Sequence, residues 1–356
     1  MLKIFQRWIA RYFSNEEAVV LTVLLLVAAV VIFSMGKILA PVFASIVLAF
    51  LMQGTTASMT RYRIPESLAV MVTYALFIGA FFWVVLFLVP LVFNQSKLLL
   101  TEAPSMLRNM QHWLHDIVAL YPDLIEEAQV KQWMSTLNNQ IGNLGQTLLS
   151  QSFATITTLF SLVIYLVLVP LLVFFFLKDK AVIFEWIGRF LPANRPFMRA
   201  VWLEMNDQAA NYVRGKVIEI IIVGSASYVA FVVLGLNYAA LLGILVGLSV
   251  LIPYIGAALV TIPVLAVGFY QWGMGVDFYW LFGVYMLIQA LDGNVLVPLL
   301  FSEAVNLHPV AIILAVLVFG GLWGFWGVFF AIPLATLIKA LLYAWPRARH
   351  PNEDTI

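Results

Sequence analysis

Cysteine is absent from this chain of 356 residues, and charge is scarce, with Asp, Glu, Lys and Arg together making up 10%. Without thiols there are no disulfides, no thiol redox chemistry and no cysteine-ligated metal. A soluble globular domain carries about a quarter of its residues as charges. At 63% hydrophobic residues and a mean hydropathy of +0.99, this is instead an integral membrane protein. Histidine is also rare: His112 and His115 beside Asp116 offer too few nitrogen ligands, so no metal is expected. No G-x-x-x-x-G-K-[ST] loop occurs, since Gly215-Lys216 lacks the upstream glycine, and ATP hydrolysis by that route is excluded. An intramembrane enzyme fails its motif checks too. There is no H-E-x-x-H, Gly247-Leu248-Ser249-Val250 is not a G-x-S-G, and Gly273-Met274-Gly275-Val276-Asp277 has the wrong Gly-Asp spacing. Neither an enzyme nor a cofactor is expected.

The deepest absence is of positive charge between Val217 and Ile338. That stretch is mostly apolar and holds four carboxylates, Glu219, Asp277, Asp292 and Glu303, with no Lys or Arg. A charge at the bilayer centre costs about 2.5 kcal/mol or more, so an acidic group there marks a candidate functional site. Asp292 is the deepest of the four along the sequence. With Gln289 and Asn294 it places a carboxylate and two amides within a turn and a half of helix, a set able to bind a cation or proton or to hydrogen-bond a polyol. With no cation in the stretch, Asp292 is expected either to be protonated at rest or to hold a mobile ion, or else to pair locally with the amides. Glu219 reads as an interfacial partner of Lys216 at i, i+3. Asp277 and Glu303 read as loop charges.

The same stretch repeats one pattern. Leu236-Asn237-Tyr238 opens a run that passes through Pro253-Tyr254-Ile255-Gly256 to Ile262-Pro263. Leu307-His308-Pro309 opens another, through Gly320-Gly321 and Gly324-Phe325-Trp326-Gly327 to Ile332-Pro333. Residues 239–252 would make about 21 Å of helix and 256–270 about 22 Å, against a bilayer core of about 30 Å. Each unit is therefore expected to be a broken element, either a re-entrant hairpin or a discontinuous helix. The breaks at Pro253, Tyr254, Gly256, Gly324 and Gly327 free backbone groups that coordinate ions or polar solutes, as matched interruptions do in transporters; alternatively the glycines serve only close helix packing. Asn237 and His308 correspond in the two units, which makes His308 a candidate gate.

Elsewhere, Lys3, Arg7 and Arg11 oppose Phe5, Trp8, Ile9 and Tyr12, so residues 1–17 read as a cytoplasmic amphipathic helix. The apolar run that follows has no small-residue cleavage site before charge resumes, so the first span is expected to be retained. Three transmembrane helices are expected in 18–93, from the runs Ala18 to Met35, Ile38 to Met52 and Leu68 to Phe93. A further one lies in 153–177 and a transport core with the two broken elements in 217–343. With the N-terminus inside, 15 of the 19 Lys and Arg residues fall in inner segments, leaving Lys37, Lys97, Arg108 and Lys131 outside. Residues 94–152 are then exterior and helical. Met106, Met110, Trp113 and Ile117 lie at helical spacing, and Val130 to Leu148 holds a short heptad seam suited to a cap packed on itself or to an intersubunit coil. Residues 178–216 read as inner amphipathic helix with Phe197, Val201, Met205 and Tyr212 on one side, and 344–356 as a cytoplasmic tail. The seven cations of 178–216 alternate with Glu185, Glu204 and Asp207, and no nucleic-acid partner is expected.

The motifs Tyr165-Leu166-Val167-Leu168-Val169-Pro170, Phe175-Phe176-Leu177-Lys178-Asp179-Lys180, Asn211-Tyr212-Val213-Arg214-Gly215-Lys216, Pro253-Tyr254-Ile255-Gly256, Leu291-Asp292-Gly293-Asn294, Asn306-Leu307-His308-Pro309 and Gly324-Phe325-Trp326-Gly327, in that order, resemble the AI-2E family of transporters, in particular its Gram-negative permeases. The resemblance implies a multi-pass inner-membrane protein with about eight hydrophobic segments, a homo-oligomer with membrane lipid around it, and a small-molecule or ion substrate. It links the family to export of the signal autoinducer-2 and, in other branches, to sodium or lithium exchange for protons. The expectation is an all-α polytopic secondary transporter whose site lies between two discontinuous helices. The alternatives are a passive channel and a non-transporting scaffold of the same fold.

Overall fold

The computed structural model describes residues 16–120, 132, 135–136, 156–192, 195–253, 255–301 and 307–344, and among them every regular element is helical. That follows from the composition, because a backbone in hydrocarbon must satisfy its own hydrogen bonds. The helices are α1 (Glu16–Arg61), α2 (Glu66–Trp83), α3 (Val89–Leu120), α4 (Ile156–Lys178), α5 (Lys180–Gly188), α6 (Pro196–Val233), α7 (Ala239–Ser249), α8 (Ile255–Trp272), α9 (Val276–Leu291), α10 (Val297–Phe301), α11 (Pro309–Phe329) and α12 (Ala331–Ala344). Seven described stretches are long and apolar enough to cross a bilayer, and the bent pair α4–α5 makes an eighth. The protein is an all-α polytopic membrane protein.

Two expected helix boundaries are missing. The runs Ala18 to Met35 and Ile38 to Met52 lie on one helix of 46 residues, about 69 Å long at 1.5 Å per residue. No reversal occurs at Gly36-Lys37. A single glycine lowers helix propensity by only about 1 kcal/mol, and here Gly36 accepts the indole of Trp323 where a Cβ would stand. The span begun at Leu68 likewise does not stop at Phe93. It passes through a π turn, Val84–Leu88, and continues as α3 for 32 residues. Pro90 accounts for the π turn, since its ring clashes with the carbonyl four residues back and the helix widens to accommodate it.

Among the described residues, the stripe of Met106, Met110 and Trp113 on α3 packs on α8. Trp113 meets Phe269 edge-on at 5.2 Å, and Met106 and Met110 share a small cavity with Pro263 and Phe269 of α8. The heptad seam and the segments 1–15 and 345–356 lie outside the described residues.

The chain divides into two compact units: residues 1–74, 168–216 and 301–356, and residues 75–167 and 217–300. In the first, Ser45 of α1 donates to the Val169 carbonyl of α4 at 3.3 Å. Val201 and Tyr212 of α6 are buried there and Phe197 and Met205 half-buried, in line with the amphipathic spacing, and Met198 is buried beside them. The second has its core in α6 to α9, where Phe231, Leu242, Val246, Val264, Val267, Leu281 and Tyr285 are each 1% exposed or less. Small residues allow this packing. A Cβ on Gly224 would lie 3.3 Å from the Cα of Gly247, so α6 and α7 touch nearly backbone to backbone.

Candidate functional site

The first broken element is a helical hairpin. Helix α7 has 11 residues, about 16 Å, and ends where Val250 to Pro253 turn the chain back into α8. At the open end of the hairpin, the Asn237 amide donates to Gln271 Oε1 at 2.8 Å across a separation of 34 residues. The Gln271 Nε2 donates to the Gly235 carbonyl, also at 2.8 Å. The chain therefore leaves at the level where it came in. Gln95 of α3 accepts from the Leu241 amide in the first turn of α7 at 2.8 Å, where an unfilled helix-end donor would otherwise be buried. Tyr238 precedes α7 with a left-handed backbone (φ 58). Burial first, then the neighbouring Glu102 carboxylate, raise the Tyr238 pKa above its usual value, so the phenol stays neutral.

The second element breaks in the same way in the other unit. Gly324 sits inside α11 at φ 61, ψ −136, and a second break follows at Phe330. In each hairpin a glycine of the returning arm lies on a carbonyl of the outgoing arm. A Cβ on Gly256 would overlap the Ser249 carbonyl oxygen, and one on Gly327 would overlap that of Phe319. Close packing and chain interruption are thus the same feature. Trp323 and Trp326 stack on Phe330 around this second element, and Phe43 meets Trp323 edge-on with centroids 4.8 Å apart.

Asp292 opens a π turn, Asp292–Leu296, between α9 and α10. Pro298 produces it as Pro90 produces the first. Such turns are frequent at functional sites. One turn before it, Gln289 donates to the Tyr285 hydroxyl at 3.0 Å. The Tyr285 hydroxyl lies 3.0 Å from Thr261 Oγ1, and Thr261 donates to the Ala257 carbonyl at 2.7 Å. With Thr261 donating onward, Tyr285 is left to donate to Thr261, and the buried ladder is fully satisfied. It ties α9 to α8 and sets their antiparallel register. Leu281, at the place of a Cβ on Gly268, and Phe278, 6.2 Å from Phe269, fit the same register. Moving from Tyr285 to Asp292 advances about 10 Å along α9. The same distance back along α8 from Thr261 reaches the tip of the hairpin. The carboxylate and the interrupted backbone therefore share a depth.

The other predicted residues divide. Asp292 is half-buried and its side chain interacts within the protein. Asn294 is exposed and donates to the Ala290 carbonyl of its own helix at 2.8 Å. Pro253 is in the tip, whereas Tyr254 lies outside the described residues. His308 caps α11, its Nδ1 accepting from the Val310 amide at 3.3 Å. Asn237 acts through its backbone amide, at the root rather than at the tip. Lys216 and Glu219, expected as an interfacial pair, are 5% and 1% exposed, and the Lys216 ammonium lies 5.0 Å from the Phe301 ring centroid. Tyr285 and Thr261 were missed, because a Tyr and a Thr in apolar runs carry no signal until their helices are paired.

A sequence profile described as "AI-2E family transporter" matches residues 19–347. This chain belongs to the AI-2E transporter family. The protein of Escherichia coli K12 named "Putative permease PerM" is 45% identical over 353 residues, covering 99% of this chain and all of that one. "Putative transport protein YueF" of Bacillus subtilis is 27% identical over 286 residues, 78% of this chain and 76% of its own. MJ1177 of Methanocaldococcus jannaschii, also named as a transport protein, is 25% identical over 213 residues, 59% and 63% of the two chains.

Proposed function

We propose that this AI-2E transporter is a secondary permease of the inner membrane, moving a small polar solute of autoinducer-like character or a monovalent cation or proton. One observation carries the reading: Asp292, on a π turn, lies level with the tip of a re-entrant hairpin. A hairpin that stops part-way through the bilayer brings non-helical backbone to membrane depth, where it is tolerated only against protein or water. A carboxylate at the same level supplies charge to a solute or ion that the tip's backbone groups help to coordinate. The half-buried position of Asp292 lets one route reach it, and the Gln289–Tyr285–Thr261 ladder holds α9 and α8 at fixed register behind it. The driving force is a gradient.

The test is flux into liposomes containing the purified protein, with sodium, lithium, protons and small polyols offered in turn. Asp292→Asn keeps the shape and removes the charge. It is expected to lower flux of the transported species about tenfold or more, the worth of a hydrogen bond to a charged group. Equal flux through wild type and variant would remove Asp292 from the pathway. A wild type that moves none of the solutes would favour the scaffold.

A further inference from the structure

The first unit has a cavity of its own, whereas Asp292 belongs to the second unit. A cavity of about 570 Å³ opens between the last turns of α1 and the elbow joining α4 to α5. Thr56, Thr60, Glu66, Lys178, Lys180 and Phe184 are in its wall. Helix α4 spans, and α5 leaves it at 77°, which lays α5 almost in the plane of the membrane. Val182, Trp186 and Phe190, at i, i+4 and i+8, are 66%, 59% and 69% exposed. An aromatic and apolar stripe along a short helix and the turn that follows it, beside basic residues, is how a segment seats itself at the headgroup level. The cavity is therefore at that level too.

Its charges are of both signs and are not spent on one another. Among the described residues no ion pair joins Glu66 to Lys178 or Lys180. Each lysine is instead held over a ring, Lys178 at 5.5 Å from the Phe174 centroid and Lys180 at 6.0 Å from that of Phe184. Of the nearby carboxylates, Glu185 is bound to Arg189 at 2.9 Å, and Asp179 is outside the wall. The Thr56 and Thr60 hydroxyls donate to their own helix and keep lone pairs for a further donor.

The geometry points to a phospholipid seat for a headgroup that carries a phosphate and a cation together, the phosphoethanolamine type. The lysines take the phosphate, and Glu66 with the threonine oxygens takes the ammonium. A headgroup with phosphate alone would leave Glu66 facing the anion.

The full-length protein is reconstituted with equal mole fractions of phosphatidylethanolamine and phosphatidylglycerol and then extracted in mild detergent. Retained lipids are counted by native mass spectrometry. The wild type is expected to keep phosphatidylethanolamine in excess. Lys178→Gln and Lys180→Gln should each lower retention of both lipids roughly fivefold, the usual worth of one basic residue near a membrane surface. Glu66→Gln should lower phosphatidylethanolamine alone and move the ratio toward phosphatidylglycerol. All three side chains are exposed, and thermal unfolding in detergent confirms that the variants fold. Retained lipid of the bulk composition, or a ratio unmoved by Glu66→Gln, overturns the assignment. So does stabilisation by soluble phosphoethanolamine without lipid preference, which would give the cavity to a water-soluble ligand.

Discussion

Gly256 and Gly327 are required by close approach and Gly324 by its backbone angle, and one added methyl group tests the two requirements differently. At Gly256 and Gly327 the Cβ would fall on a carbonyl oxygen, so alanine must push the hairpin arms apart. Overpacking of this kind costs about 1–3 kcal/mol, and leucine should cost more than alanine. Nothing lies within 4 Å of a Cβ on Gly324. The cost there is the positive φ alone, about 1–3 kcal/mol, and an unbranched larger side chain should cost little beyond alanine. Denaturant unfolding in detergent, followed by tryptophan fluorescence, reads both. Leucine no worse than alanine at Gly256 would contradict the close approach. These positions were legible in the sequence because glycine and proline punctuate whatever the tertiary context. The capping role of His308 was not, since an imidazole beside Pro309 looks the same whether it gates or caps.

Among the elements, hairpin α7–α8 makes the sharpest claim. A kinked span over residues 239–270 would separate its ends by about 48 Å, whereas here the Asn237 amide touches the Gln271 side chain. The chain has no cysteine, so an Asn237→Cys/Gln271→Cys pair can be treated with a short bifunctional maleimide without background. Efficient intramolecular cross-linking in the membrane is expected, and its absence alongside single labelling of both cysteines would sink the hairpin. Helix lengths foretold a break, but a break alone has two folds. Both π turns follow from a proline two residues beyond their ends, Pro90 and Pro298, and that signal was available. The continuity of α1 was not, because charge at Lys37 resembles a loop in a hydropathy reading while costing a helix almost nothing.

At the scale of the whole molecule, the two hairpins belong to different compact units, α7–α8 to one and α11–α12 to the other. Orientation rests on the Lys/Arg bias around Tyr62 and in residues 178–216, since the unbroken α1 removes the reversal at Lys37 that would bring residues 1–17 to the same face, and single cysteines in the cysteine-free chain test it. Tyr62, 82% exposed between Arg61 and Arg63, should as cysteine react with an impermeant maleimide only from the cytoplasmic side. Met274, 45% exposed between α8 and α9, should react only from the opposite side. Labelling of both from one face would contradict the assigned topology.

Sequence by itself determined the membrane class, the helical content, the transporter family, the places where helices break and the isolation of Asp292 from cations along its stretch. Those follow from composition and from Gly and Pro, whose effects are local. Only the tertiary structure decided that the first break is a hairpin, that Lys216 and Glu219 are buried, that the α3 stripe packs on α8, and that Asp292 stands level with the hairpin tip. Each of these depends on which helix lies beside which and in what register. Those relations are set by contacts between residues far apart in the chain, such as Thr261 with Tyr285 and Asn237 with Gln271.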